Sequence, residues 1–124
     1  MEALMADQQM RAGGCHCGKV RFEVATDLAK LIACNCSICS RHGLILTFVP
    51  EAQFKLLSGA EDLQEYLFNK HVIHHQFCRT CGVEPFARGT PPGAKSAMVA
   101  VNVRCLDGID IASLKPTPFD GRSL

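Results

Sequence analysis

A mainly β, single-domain fold with cysteine-bearing loops between antiparallel strands is the prediction for this 124-residue sequence. Three observations carry it. Apolar residues recur in short alternating or branched runs, no helical period extends far enough for an amphipathic helix, and the cysteines fall between the runs. An apolar fraction of 48% in a chain of this length suffices for one hydrophobic core.

The elements follow in order. Residues 1–12 show no period and are read as a flexible segment, so the domain is placed at 13–124. "KVRFEV" sets Val20, Phe22 and Val24 on one face against Lys19, Arg21 and Glu23 on the other, which is the pattern of a half-buried strand. "LIAC" and "LILTFV" are short and rich in branched residues, and the cluster "CNCSIC" between them is expected to form a loop. "QFKLLSG" ends in the turn signal Ser58-Gly59, and "LQEYLF" leads through Asn69-Lys70 into "HVIHHQF". Both of the latter read as strands, the first with a competing helical reading. "GTPPGAK" is a loop by its prolines and glycines, "MVAVNVRC" is a strand, and a Pro-rich tail closes the chain.

Charge and termini narrow the function classes. The net charge is +1 with no block of like charge, so nothing marks an electrostatic footprint for nucleic acid or a membrane. Glu2 and Asp7 stand where a signal peptide would be basic, and "LILTFV" is too short to span a bilayer. A cytoplasmic location is therefore expected. In a reducing compartment eight cysteines, seven of them clustered, point to metal rather than to disulfides.

Spacing supports the same choice. "CHC", "CNCSIC" and "CRTC" hold seven of the eight cysteines, and spacers of one or two residues let a single turn aim two thiolates at one ion. Cys15 and Cys17 with Cys78 and Cys81 make a closed four-thiolate zinc site that would clamp the first strand to the loop after Phe77. Gly14, Gly18 and Gly82 border the pairs, where tight turns often need positive φ. A thioredoxin-like redox role for "CRTC" would need a helix after it, and Gly82 and Pro85 oppose one.

Cys34, Cys36 and Cys39 then remain as a set one ligand short of the tetrahedron. Cys105 alternates with Val99, Val101 and Val103 and reads as a small core residue. His42 has three readings: fourth ligand, proton carrier beside the site, or solvent-facing residue. His75 shares a face with Ile73 and Phe77 and reads as a satisfied core residue or a support to the site, while His16, His71 and His74 have no specific role. If His42 does not close the set, the three thiolates leave a coordination position for an exogenous thiol.

The blocks "GGCHCGKVRFEV", "CNCSICSRHG", "HQFCRTCG", "VNVRCLDGID" and "FDGRS", in this order, resemble the glutathione-dependent formaldehyde-activating enzyme family, which also includes centromere protein V. The resemblance runs from about Gly13 to Ser123. It implies a zinc-binding β-tent fold with two zinc ions per chain. Of these, a structural one is implied at Cys15, Cys17, Cys78 and Cys81, and a catalytic, more easily lost one at Cys34, Cys36 and Cys39. It also implies a carbon–sulfur lyase that joins glutathione and formaldehyde to S-(hydroxymethyl)glutathione. Arg41 is the first choice for holding the carboxylates of the thiol substrate. Asn102 and Arg104, on the face opposite the valines, could line a pocket or pair within the fold. Two other classes stand beside this reading: a non-catalytic interaction module of the centromere protein V type, and a zinc store or redox buffer.

Overall fold

The computed structural model describes residues 9–67, 73–90 and 96–120. His71, part of "GTPPGAK" and residues 121–123 of "FDGRS" lie outside them. Within them the chain is mainly β, with ten strands and one short helix. A three-stranded antiparallel sheet holds β1 (Gln9–Gly14), β2 (Arg21–Thr26) and β5 (Phe54–Ser58) in the order β1-β2-β5. The larger sheet holds β3 (Ile32–Cys34), β4 (Leu46–Pro50), β6 (Leu63–Tyr66), β7 (Ile73–Cys78), β8 (Phe86–Gly89), β9 (Met98–Asn102) and β10 (Thr117–Phe119). Its order is β10-β3-β4-β9-β8-β7-β6, antiparallel except where β10 runs parallel to β3. No helix among the described residues is long and apolar enough to cross a membrane.

Period-two alternation sorts the apolar side chains onto the two faces of the larger sheet. Phe86, Val99 and Val101 pack against Phe22 and Val24 of the smaller sheet, while Ala87 and Ala100, one residue out of phase, belong to a second cluster with Cys39, Leu44 and Leu46. The first face carries most of the core. Phe22, Phe54 and Phe86 form an aromatic trio with ring centroids 4.7 to 6.1 Å apart, and Arg88 lies over two of the rings. Burying Phe22 completely stabilises the fold by about 3 kcal/mol. On the second face the alanines have no bulk beyond Cβ, which leaves room for the cysteine-bearing segment to lie against the sheet.

Several sequence expectations need correction. Residues 9–12, read as flexible, form most of β1, which pairs with β2 along its whole length. The three-cysteine segment is not all loop. Ser37–His42 is a helix, α1, capped by Cys36 at its start and by Gly43, in the left-handed region, at its end. The strand "MVAVNVRC" ends at Asn102, and Val103–Cys105 turn into a 3-10 helix, so Cys105 does not continue the valine face. "LQEY" is a strand, which resolves the helix ambiguity. β10 lies inside the tail read as irregular. Asn35 donates from its backbone to Phe119 and from its side chain to Asp120, tying the tail to the residue between Cys34 and Cys36.

Candidate metal centres

The first centre is built from two turns of the same design. In each, the backbone N–H of the leading cysteine donates to the carbonyl five residues on, Cys15 to Val20 at 3.1 Å and Cys78 to Val83 at 2.9 Å. Gly18 and Gly82 take φ of +84° and +82° to close the turns, a conformation that costs glycine little. Gly14 serves differently: a Cβ there would come within 2.2 Å of the Val20 carbonyl, so the close approach of β1 to β2 demands glycine.

These turns bring Cys15, Cys17, Cys78 and Cys81 together with all four sulfurs within 4.8 Å of one another. Cys17 Sγ stands 3.6 Å from both Cys15 Sγ and Cys78 Sγ. Zinc–sulfur bonds of about 2.3 Å in a tetrahedron require sulfurs about 3.8 Å apart, so the set fits a zinc ion. Electrostatics favour ionisation on one side of it. Burial opposes the Cys81 thiolate, but backbone N–H groups of Val83 and Cys17 and the neighbouring thiols outweigh burial and bring it down to about 6. Cys78 is lowered in the same way by the N–H groups of Cys81 and Thr80 against its burial.

The second centre joins β3 to α1. Cys34 ends the strand, Cys36 is the N-cap residue, and Cys39 sits in the first turn of the helix; their sulfurs also lie within 4.8 Å of one another. Backbone N–H groups point at two of them, Cys36 N–H at Cys34 Sγ and Cys39 N–H at Cys36 Sγ, each at 3.4 Å. Burial opposes ionisation of Cys36, but the N–H of Cys39 and hydrogen bonds from Cys39 and Cys34 lower its thiol overall. Burial, together with the hydrogen bond and charge of Cys36, pushes Cys39 up. Of the three thiols, Cys36 is therefore the most readily ionised. A bound cation stabilises the other two thiolates as well.

Among the described residues no fourth residue joins the second set. His42, one turn after Cys39, is outside the metal-binding geometry and points its Nδ1 at Glu84 Oε1 at 2.8 Å. Glu84 was not singled out in the sequence and is the main residue that reading missed. It is 4% exposed, and its other oxygen meets His75 Nδ1 at 2.7 Å. The one available signal was a carboxylate set among the apolar residues of "GVEPF".

The remaining candidates separate. Asn102 is buried and holds the Glu84 loop, donating from its side chain to the Glu84 carbonyl at 3.0 Å and from its backbone to Pro85 at 2.9 Å. Arg104 does not share that role; its Nε donates to the Gly43 carbonyl at the C-terminal end of α1. Cys105 stands outside both sulfur sets, and burial first, then nearby negative charge, pushes it up to about 12. A cavity of about 560 Å³ opens beside α1, lined among others by Arg41, His42, Tyr66, Phe77 and Glu84. Arg41 also donates to the Ser37 carbonyl within its own helix at 3.0 Å.

Residues 10–118 match the family described as "Glutathione-dependent formaldehyde-activating enzyme". A crystal structure of a Rhodobacter sphaeroides protein is similar, with 33% sequence identity, a TM-score of 0.76, and an alignment covering 86% of this chain and 97% of that one.

Proposed function

Since the chain belongs to the glutathione-dependent formaldehyde-activating enzyme family, we propose that it is a zinc-dependent carbon–sulfur lyase. Its reaction makes and breaks a thiol–aldehyde adduct such as S-(hydroxymethyl)glutathione from glutathione and formaldehyde. The observation that carries this reading is the incomplete sulfur set Cys34, Cys36 and Cys39, grouped as for a metal where β3 meets α1, the helix whose Ser37, Ile38, Arg41 and His42 wall a cavity of about 560 Å³. Three protein ligands and one open position distinguish catalytic from structural zinc.

Zinc held there supplies a Lewis acid that favours the thiolate form of an incoming thiol. The protein's part is to bind and orient. The cavity offers Arg41 as a cation for a substrate carboxylate and Tyr66 and Phe77 as apolar walls for its body. Zinc at Cys15, Cys17, Cys78 and Cys81 has a different task, holding the loop that leads into Glu84. Two zinc ions per chain, a small thiol and an aldehyde complete the proposal. A reducing, cytoplasmic setting suits it, because both clusters need free thiols. Against the closed form of an interaction module stands the position of His42, neither of whose ring nitrogens falls within the Cys34, Cys36 and Cys39 group.

The reading is tested by magnetisation-exchange NMR on glutathione and ¹³C-formaldehyde at equilibrium. Zinc-loaded protein at catalytic concentration is expected to raise the exchange rate between free formaldehyde and the adduct in proportion to protein added. An exchange rate equal to that of the protein-free mixture contradicts the lyase reading.

A further inference from the structure

We propose that His42 is the general acid–base of the adduct reaction, with Glu84 and His75 as its positioning residues. This rests on the lyase reading above and assigns the proton transfer that reading leaves open. Three facts of geometry carry it. Glu84 is buried beneath the cavity with a side chain only 2% exposed, and its two oxygens each meet the Nδ1 of a histidine. A carboxylate can only accept, so both imidazoles donate from Nδ1. His42 is consequently held as the Nδ1–H tautomer with Nε2 carrying the lone pair. That nitrogen makes no hydrogen bond among the described residues, and the His42 ring lines the cavity with 41% of its side chain exposed.

The two histidines differ in access. His75 is 6% exposed at the side chain and braces the far oxygen of Glu84, whereas His42 faces the space where a substrate would enter. The Glu84 backbone is itself held by Asn102, whose side chain donates to the Glu84 carbonyl and whose backbone N–H donates to the Pro85 carbonyl. A buried carboxylate that sets the tautomer and orientation of a half-exposed imidazole is the arrangement that makes histidine an effective proton carrier.

The proton balance closes without a further reactant. In the forward direction Nε2 of His42 takes the proton of the incoming thiol. The sulfur lone pair forms the S–C bond at the aldehyde carbon as the C=O π pair moves onto oxygen. The imidazolium then returns its proton to that oxygen, leaving a hydroxymethyl thioether and neutral His42. Cleavage runs the same transfers in reverse.

The test uses the full-length, zinc-loaded protein in the exchange assay, with zinc counted by native mass spectrometry in every variant. His42→Ala is expected to lower kcat about 100-fold while KM changes little and both zinc ions stay, with activity partly restored by added imidazole. Glu84→Gln is expected to lower kcat with His42 and zinc content intact. Long-range ¹H–¹⁵N spectra of the wild type should show His42 as the Nδ1–H tautomer, independently of turnover. If the wild type is active and His42→Ala is equally active, the inference fails and the lyase reading survives. Loss of one zinc in His42→Ala, or an Nε2–H tautomer, also overturns it. A wild type without activity overturns the lyase reading and the inference with it.

Discussion

Cys78→Ser is expected to abolish cooperative folding at room temperature or to lower the melting temperature by about 15 °C or more. Cys78 is fully buried at the end of β7 and supplies one of four sulfurs that join β1 and β2 to the β7–β8 loop. A structural zinc contributes roughly 10 kcal/mol or more to folding, as much as the whole net stability of an ordinary domain. Losing even about 4 kcal/mol of it, at roughly 4 °C of melting temperature per kcal/mol, gives the shift stated. A hydroxyl in place of the thiolate is a poor zinc ligand and leaves only three sulfurs at the site. The loop that carries Glu84 would be released together with the metal, so the functional cavity should be lost too. Circular-dichroism melting of Cys78→Ser beside Cys105→Ser checks the point. Cys105 lies outside both sulfur sets, and its replacement is expected to cost no more than about 1 kcal/mol. Equal melting of Cys78→Ser and the wild type would show that the first cluster is not a structural metal site.

Cys36→Ser should behave in the opposite way, keeping the fold and losing the chemistry. Cys36 is the N-cap of α1 and accepts from the Cys39 N–H through its sulfur. Serine is among the best N-cap residues, so the helix start survives the exchange. What does not survive is the metal set, which falls to two thiolates. The protein is expected to retain one zinc, to melt within a few degrees of the wild type, and to lose the adduct reaction by at least about 100-fold. Parallel zinc counting, melting and exchange measurements separate these effects. Unchanged activity with one zinc would mean that the second cluster is not the seat of the reaction. A large fall in melting temperature would mean that it is structural after all.

The contrast between the two cysteine variants mirrors how legible each part was in the sequence. Metal ligands in short turns are local features, so the division into Cys15, Cys17, Cys78, Cys81 and Cys34, Cys36, Cys39 could be read from spacing, and the sulfurs fall into these same two groups. Strands with clear alternation, such as the one centred on Phe22, were equally plain. α1 was missed because six residues are too few to display a helical period, and its start is set by a cysteine side chain rather than by a common capping residue. β1 has the exposure of an edge strand, with no apolar alternation to announce it. β10 contains Pro118 and pairs through a parallel register with a strand more than eighty residues earlier. Glu84 was invisible for a related reason: its partners His42 and His75 lie 42 and 9 residues away, and only the folded loop brings the three together. Asn102 was noticed, but the end of β9 turns it inward to the Glu84 loop instead of toward a pocket shared with Arg104.

The proposed chemistry rests on a four-thiolate zinc that holds the fold and a three-thiolate zinc completed by substrate. Native mass spectrometry of protein purified with zinc present, before and after addition of glutathione, tests it most directly. Two zinc ions per chain are expected, with a glutathione adduct that is absent in Cys36→Ser. One zinc per chain, or two zinc ions with no adduct, would contradict it.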